Sequence, residues 1–110
     1  MSEEEVTLTF TLGAKAYRVV EQNSLDDTGL GRSFCCLGII KLARKWQGFN
    51  IPQDSKDQTM YHEITHAILD DIGRPDLSKD ENFVNAFSTL LHQFEVTKRK
   101  PNANQIETER

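Results

Sequence analysis

Disulfides cannot hold this chain together. It has two cysteines in 110 residues, and they are neighbours, Cys35 and Cys36. An adjacent pair cannot tie distant segments to each other, and it lacks the C-x-x-C spacing of common structural zinc sites. Two reduced thiols are expected, pointing to opposite faces if they lie on a strand. Long apolar runs are also missing. The longest, residues 34–40, is far short of the roughly 20 residues that span a bilayer, so no membrane segment is expected. Positive charge is in deficit, with 13 Lys and Arg against 17 Asp and Glu. That removes the electrostatic case for nucleic acid as a partner. The start, Met1-Ser2-Glu3-Glu4-Glu5, is acidic, the opposite of a signal peptide's basic beginning. A cytoplasmic location is therefore the expectation.

What remains is the composition of a globular protein, 37% hydrophobic and 27% charged, long enough for one domain with one modest core. Residues 6–12 alternate apolar and polar, which predicts a half-buried strand with Val6, Leu8, Phe10 and Leu12 on one face. Residues 15–22 read as a second strand or a short helix. Residues 23–32, rich in Asn, Ser, Asp and Gly, read as a loop. Residues 33–44 are the most apolar segment. They read as one long strand or two short ones bent at Gly38, with Ile39, Lys41 and Ala43 facing one way and Ile40 and Leu42 the other. Residues 45–54, with Gly48 and Pro52, read as a connection.

The period then changes. Ser55 and Gln58 make a capping-box pattern, and a helix is expected from about 56 to 72, closed by Gly73 and Pro75. A second helix is expected from about 79 to 97, with Ser78 as its cap and an apolar stripe of Phe83, Val84, Phe87, Leu90, Leu91 and Phe94. The single domain spans residues 1–97, and residues 98–110 read as a disordered tail. Lys98-Arg99-Lys100 lies at a helix C-terminus, where cations are favoured. The expected class is α+β, a small antiparallel N-terminal sheet of two to four strands packed on two helices.

Chemistry is concentrated at residues 62–66, His-Glu-Ile-Thr-His. On a helix, His62 and His66 share one face a turn apart, a separation that suits two nitrogens reaching one zinc ion. Glu63 lies about 100° round from His62, beside that face, where a carboxylate can take a proton from an activated water. With His62 at 0°, Asp70 falls near 80°, while Ala67, Ile64, Ile68, Tyr61 and Ile72 fill an arc from about 140° to 280°, and Leu69 lies outside it. A polar and a packing face thus separate along one helix.

A catalytic zinc takes three protein ligands and keeps one position open. A third His ten residues after His62 would complete one known pattern, but that position is Ile72. Asp70 is on the right face but a turn beyond His66, and reads as a carboxylate outside the ligand set or a solvated one. Glu81 is within reach. From His66 to the helix end is about 10 Å, and a loop over residues 74–77 covers up to about 13 Å. Glu81 also has a plainer reading, as the far member of a capping box begun by Ser78. Asp80 is the alternative ligand. His92, roughly 16 Å further along the helix, is too far to share a metal with Glu81.

His62-Glu63-Ile64-Thr65-His66-Ala67 followed by a helix bearing Glu81 resembles the gluzincin class of zinc peptidases. The pair of helices is similar to small single-domain metallopeptidase-like proteins of phages and prophages, over about a third of the chain. The resemblance implies a minimal zincin-like fold and a location in a bacterial or phage-infected cell. It implies Zn²⁺ held by His62, His66 and Glu81, with Glu63 as general base and a peptide or protein as substrate. It also implies that the residue four after the third ligand, here Asn85 where the class has Asp, orients a zinc-binding His. Such enzymes supply a downstream His or Tyr for the oxyanion. After Glu81 this chain has His92 and no Tyr, which leaves Tyr17, Tyr61 or a loop residue for that task. The strand near 39–43 is expected to lie along the cleft and pair with an extended substrate. The competing expectation is a zinc-binding protein of weak or no activity that acts as an interaction module. Oligomeric state is open.

Overall fold

The computed structural model describes residues 4–25 and 29–101. The chain begins with a hairpin of β1 (Glu5–Leu12) and β2 (Lys15–Gln22), turned at Gly13. It then forms β3 (Gly31–Phe34), a 3₁₀ turn at Cys35–Leu37, and β4 (Ile39–Ala43). A small hairpin follows, β5 (Lys45–Trp46) and β6 (Phe49–Asn50). Three helices finish the fold, α1 (Gln53–Asp71), the four-residue α2 (Pro75–Ser78), and α3 (Glu81–Thr97). The class is α+β, as the periodicities predict.

The four main strands are ordered β1-β2-β4-β3. β1 pairs antiparallel with β2, and β3 antiparallel with β4, but β2 and β4 run parallel. The sheet is therefore mixed, a departure from the antiparallel sheet expected. The reason lies in burial: the segment after β2 is long enough to reach the far edge, and the chain then returns so that β4, the most apolar strand, fills the middle slot. Ile40 and Leu42 are buried there at 0% and 2% exposure. The turn between β3 and β4 requires glycine. Gly38 has φ +66°, and a β-carbon on it would run into the Ala16 carbonyl oxygen.

One face of the sheet packs on α1. Tyr17, Val19, Ile40, Leu42 and Ala67 form the core, with Phe10, Leu12, Met60 and Ile64 against it. Gly31 marks the closest approach of helix to sheet, since a β-carbon there would collide with Thr59 and press on Glu63. The other side of α1 carries α3, and Thr65, Leu69, Val84 and Ser88 are buried between these layers.

Several expectations about local detail are corrected. Val6 and Leu8 are exposed, because β1 runs past the helices and its register shifts between them. Residues 45–54 contain a hairpin rather than a plain connection; Gln47 and Gly48 both take left-handed conformations, which suits a two-residue turn. Helix α1 begins three residues early, after Pro52, with no side-chain cap, since Pro fixes the entry on its own. Ile72 is exposed and Leu69 is buried, because α1 packs on two sides and its buried arc is wider than one stripe. Ser78 ends α2 and does not cap α3; Asp80 does, accepting from the Phe83 amide at 3.1 Å. Cys35 and Cys36 sit in the 3₁₀ turn, half-buried and exposed respectively. Of the expected tail, residues 98–101 follow α3 without regular structure and 102–110 lie outside the described residues, as do Met1, Ser2 and Glu3. No helix among the described residues is long and apolar enough to cross a membrane.

Candidate metal centre

α1 presents His62 and His66 where its two packing sides meet. About 40° separates them, and the side facing α3 begins just beyond, at Leu69 and Thr65. Their rings stand 4.9 Å apart, nearly perpendicular. The second contribution comes from the first residue of α3. The short helix α2 turns the chain back, Pro75 starting it and Asp80 capping the next helix, so that Glu81 faces α1. One Glu81 carboxylate oxygen lies 3.4 Å from His62 Nε2 and the other 3.4 Å from His66 Nε2.

Three potential ligand atoms, one from each residue, lie within 4.8 Å of one another. Around a tetrahedral zinc, with ligands at about 2.0–2.2 Å, neighbouring ligand atoms stand roughly 3.3–3.6 Å apart. The two 3.4 Å distances run to different carboxylate oxygens; with one oxygen as ligand the set spreads up to 4.8 Å and would draw in by roughly 1.2–1.5 Å to close on an ion. With both imidazoles protonated the same arrangement is instead two ion pairs to one carboxylate. The histidines are largely covered and Glu81 is 61% exposed, so one side of the cluster is open.

Ser78 adds a contact that sequence reading missed. Its Oγ lies 3.0 Å from His66 Nδ1. Where Nδ1 donates to it, the ring is held in the tautomer whose Nε2 lone pair points at Glu81. A Ser twelve residues after the second His is no signal by itself, because the contact depends on where α2 places it.

Glu63 is 9% exposed and pairs with no cation or donor among the described residues. It lies between two hollows. One, of about 460 Å³, is bounded by residues 31–35 with Glu63, His66, Asp70 and Ser78. The other, of about 480 Å³, is bounded by Leu30 and Gly31 with Gln58, Thr59, His62, Glu63, Asn85 and Thr89. Together they form a cleft between α1 and β3. β3 is the edge strand and β4 is paired on both sides, so the strand along the cleft is 31–34 and not 39–43. The Ala43 amide donates to the Leu30 carbonyl at 3.0 Å. Alternation along an antiparallel pair then directs the backbone groups of Gly31 and Ser33 away from β4.

The other candidates are placed as follows. Asp80 is committed to its cap. Asn85 borders the cleft beside His62, but no hydrogen bond among the described residues ties its amide to either imidazole. Asp70 borders the cleft and accepts from Cys35 Sγ at 3.2 Å. Burial, and next the Asp70 hydrogen bond, push the Cys35 thiol pKa up, which makes it a poor nucleophile. Tyr17 is buried and stacked on Phe10, and Tyr61 is stacked on His92; neither borders the cleft. His92 Nδ1 contacts Gln58 Oε1 at 2.8 Å within the layer between α1 and α3. Besides the two imidazoles and the Cys35 thiol, the side-chain donors bordering the cleft are Arg32, Ser33, Gln58, Thr59, Ser78, Asn85 and Thr89. No protein-family model, curated protein or solved structure matches the chain.

Proposed function

We propose that the protein is a zinc-dependent metallopeptidase, with His62, His66 and Glu81 holding the ion and Glu63 acting as general base. The observation that carries this reading is the meeting of both imidazole Nε2 atoms with one carboxylate, 3.4 Å from each, beside a covered glutamate that has no partner among the described residues. When bound, zinc supplies the charge that acidifies water and polarises a carbonyl. Glu63 accepts the proton of the attacking water and returns it to the leaving amine. Ser78 holds the His66 ring in place. The outward backbone groups of Gly31 and Ser33 are available to an extended peptide laid in the cleft. Ser33 and Arg32, which border the hollow shared by Glu63 and His66, are candidates to steady the developing oxyanion, since no tyrosine is among the described residues that border the cleft.

That last point favours a second reading, a zinc-binding interaction module that holds a peptide without cutting it. The covered Glu63 argues against it, because structural zinc needs no base.

Elemental analysis of the purified protein is expected to give one zinc per chain. Against a peptide library, Glu63→Gln is expected to retain zinc and lose at least about 100-fold in cleavage rate. A protein that folds equally well and binds no zinc would sink both readings. Zinc binding with no cleavage by the wild type would leave the interaction module.

A further inference from the structure

Half of the apolar stripe of α3 stays in the open: Val84 is buried, and Phe83 and Leu91 are half-buried. Phe87, Leu90 and Phe94 are 48%, 64% and 58% exposed, and Phe83 stacks on Phe87 with ring centroids 5.9 Å apart. The inward face is centred on Val84 and Ser88, both at 0% exposure, about 110° round the helix from this stripe. Phe83, Phe87, Leu90 and Phe94 are spaced by four, three and four residues, the rhythm of a two-heptad a/d seam. Two exposed phenylalanines and a leucine, continued by the half-buried Phe83 in one row, are not the scattered apolar residues of an ordinary surface.

We propose that this seam is the interface of a homodimer in which two α3 helices pack antiparallel about a twofold axis. The charges at the ends of the helix select that arrangement. Asp80 and Glu81 stand at its start, Glu81 turned toward α1, and Lys98, which also meets Glu95 of its own helix at 3.1 Å, is followed by Arg99 and Lys100 at its end. An antiparallel pair sets each basic end beside the partner's acidic end and opposes the two helix dipoles; a parallel pair sets like beside like. The row is also self-complementary, as a twofold contact demands. Phe83 meets the partner's Phe94, and Phe87 meets the partner's Leu90. With the flanking Ala86, Gln93 and Thr97, the interface covers roughly 1,000 Å² in total, the lower end of specific interfaces, which fits a dissociation constant of about 10–100 µM. Glu81 lies about 150° round α3 from the seam, so the dimer leaves the cleft uncovered and does not rest on the function proposed for it.

Sedimentation velocity on the full chain, from about 5 to 500 µM, spans that constant. The protein is expected to pass from monomer to dimer. Leu90→Glu is expected to raise the constant at least about 30-fold, because each dimer would bury two unpaired carboxylates. Its helical circular dichroism should be unchanged, since Leu90 is already exposed. Lys98→Glu with Arg99→Glu is expected to weaken the dimer in the same direction. Orientation is read by disulfide trapping in a background with Cys35→Ser and Cys36→Ser. Phe83→Cys mixed with Phe94→Cys should cross-link, while each alone should not. A chain monomeric throughout the range, or a dimer that survives Leu90→Glu, overturns the proposal. Self-linking of Phe83→Cys overturns the antiparallel arrangement. In the monomeric case the seam belongs to a different protein.

Discussion

Among the described residues the Ser78 hydroxyl has one hydrogen-bond partner, and it is a ring that faces Glu81. Removing the partner of a ligating imidazole typically costs 10–100-fold in metal affinity. Ser78→Ala is therefore expected to weaken zinc binding at least about tenfold in a chelator competition while leaving stability without metal nearly unchanged. Cys35 makes a second residue-scale prediction. Its thiol pKa is raised by burial first and Asp70 second, so the folded state holds its proton more firmly than the unfolded one. The stability this contributes is complete below the unfolded value of about 8.5 and is lost as pH rises through the folded value. Tyr17, also raised and chiefly by burial, acts in the same direction at higher pH. Urea midpoints should fall between pH 8 and 11, and Cys35→Ala should flatten the early part of that fall. The His-Glu-x-x-His run was legible because it is written within one helical turn. Ser78 was not, because its role depends on a contact made through α2.

α3 is held by an interface with little apolar area. Gln58 reaches Ser88 and Thr89 at 3.4 Å and His92 at 2.8 Å, and Val84 is the one buried aliphatic side chain that α3 contributes. Val84→Ala is expected to cost about 1–2 kcal/mol in urea denaturation, and to weaken zinc binding because α3 carries Glu81. Leu90→Glu, on the same helix, should do neither. The sequence reading assigned the helix and its stripe correctly but not the stripe's surroundings. Hydrophobic periodicity assumes that the apolar face turns inward. Here the face with Glu81, Ser88 and His92 turns toward α1, and the rotation carries Phe87, Leu90 and Phe94 into the open. The parallel pairing of β2 and β4 was hidden for a different reason. Alternation specifies which face of a strand is covered, not which neighbour it takes.

At the scale of the molecule, the donor set bridges α1 and α3, so an ion held there resists their separation. A ligand at 100 times its dissociation constant adds about 2.7 kcal/mol to stability. For a domain of this size each kcal/mol is worth about 4–8 °C. Zinc is therefore expected to raise the thermal midpoint by about 10 °C or more, and a chelator to reverse it. Glu81→Ala should abolish the shift while preserving the sheet, whose core of Tyr17, Val19, Ile40, Leu42 and Ala67 lies on the other side of α1.

The three donors also lie close along the chain, between residues 62 and 81, within one helix–turn–helix segment. The parallel pair β2 and β4 joins residues 18–22 to residues 39–43 across the whole β3 excursion, a stretch of chain of much the same length. The two closures therefore cost similar loop entropy, but the donors are brought together by helices built from contacts four residues apart, whereas β4 needs both β2 and β3 as partners, and helices form faster than strand pairings. An ion captured early would therefore fasten α1 to α3 before the sheet is complete, giving the chain a foothold from which the remaining strands are recruited. Zinc present at the start of refolding should then raise the folding rate as well as slow unfolding. Zinc added after folding can do only the second.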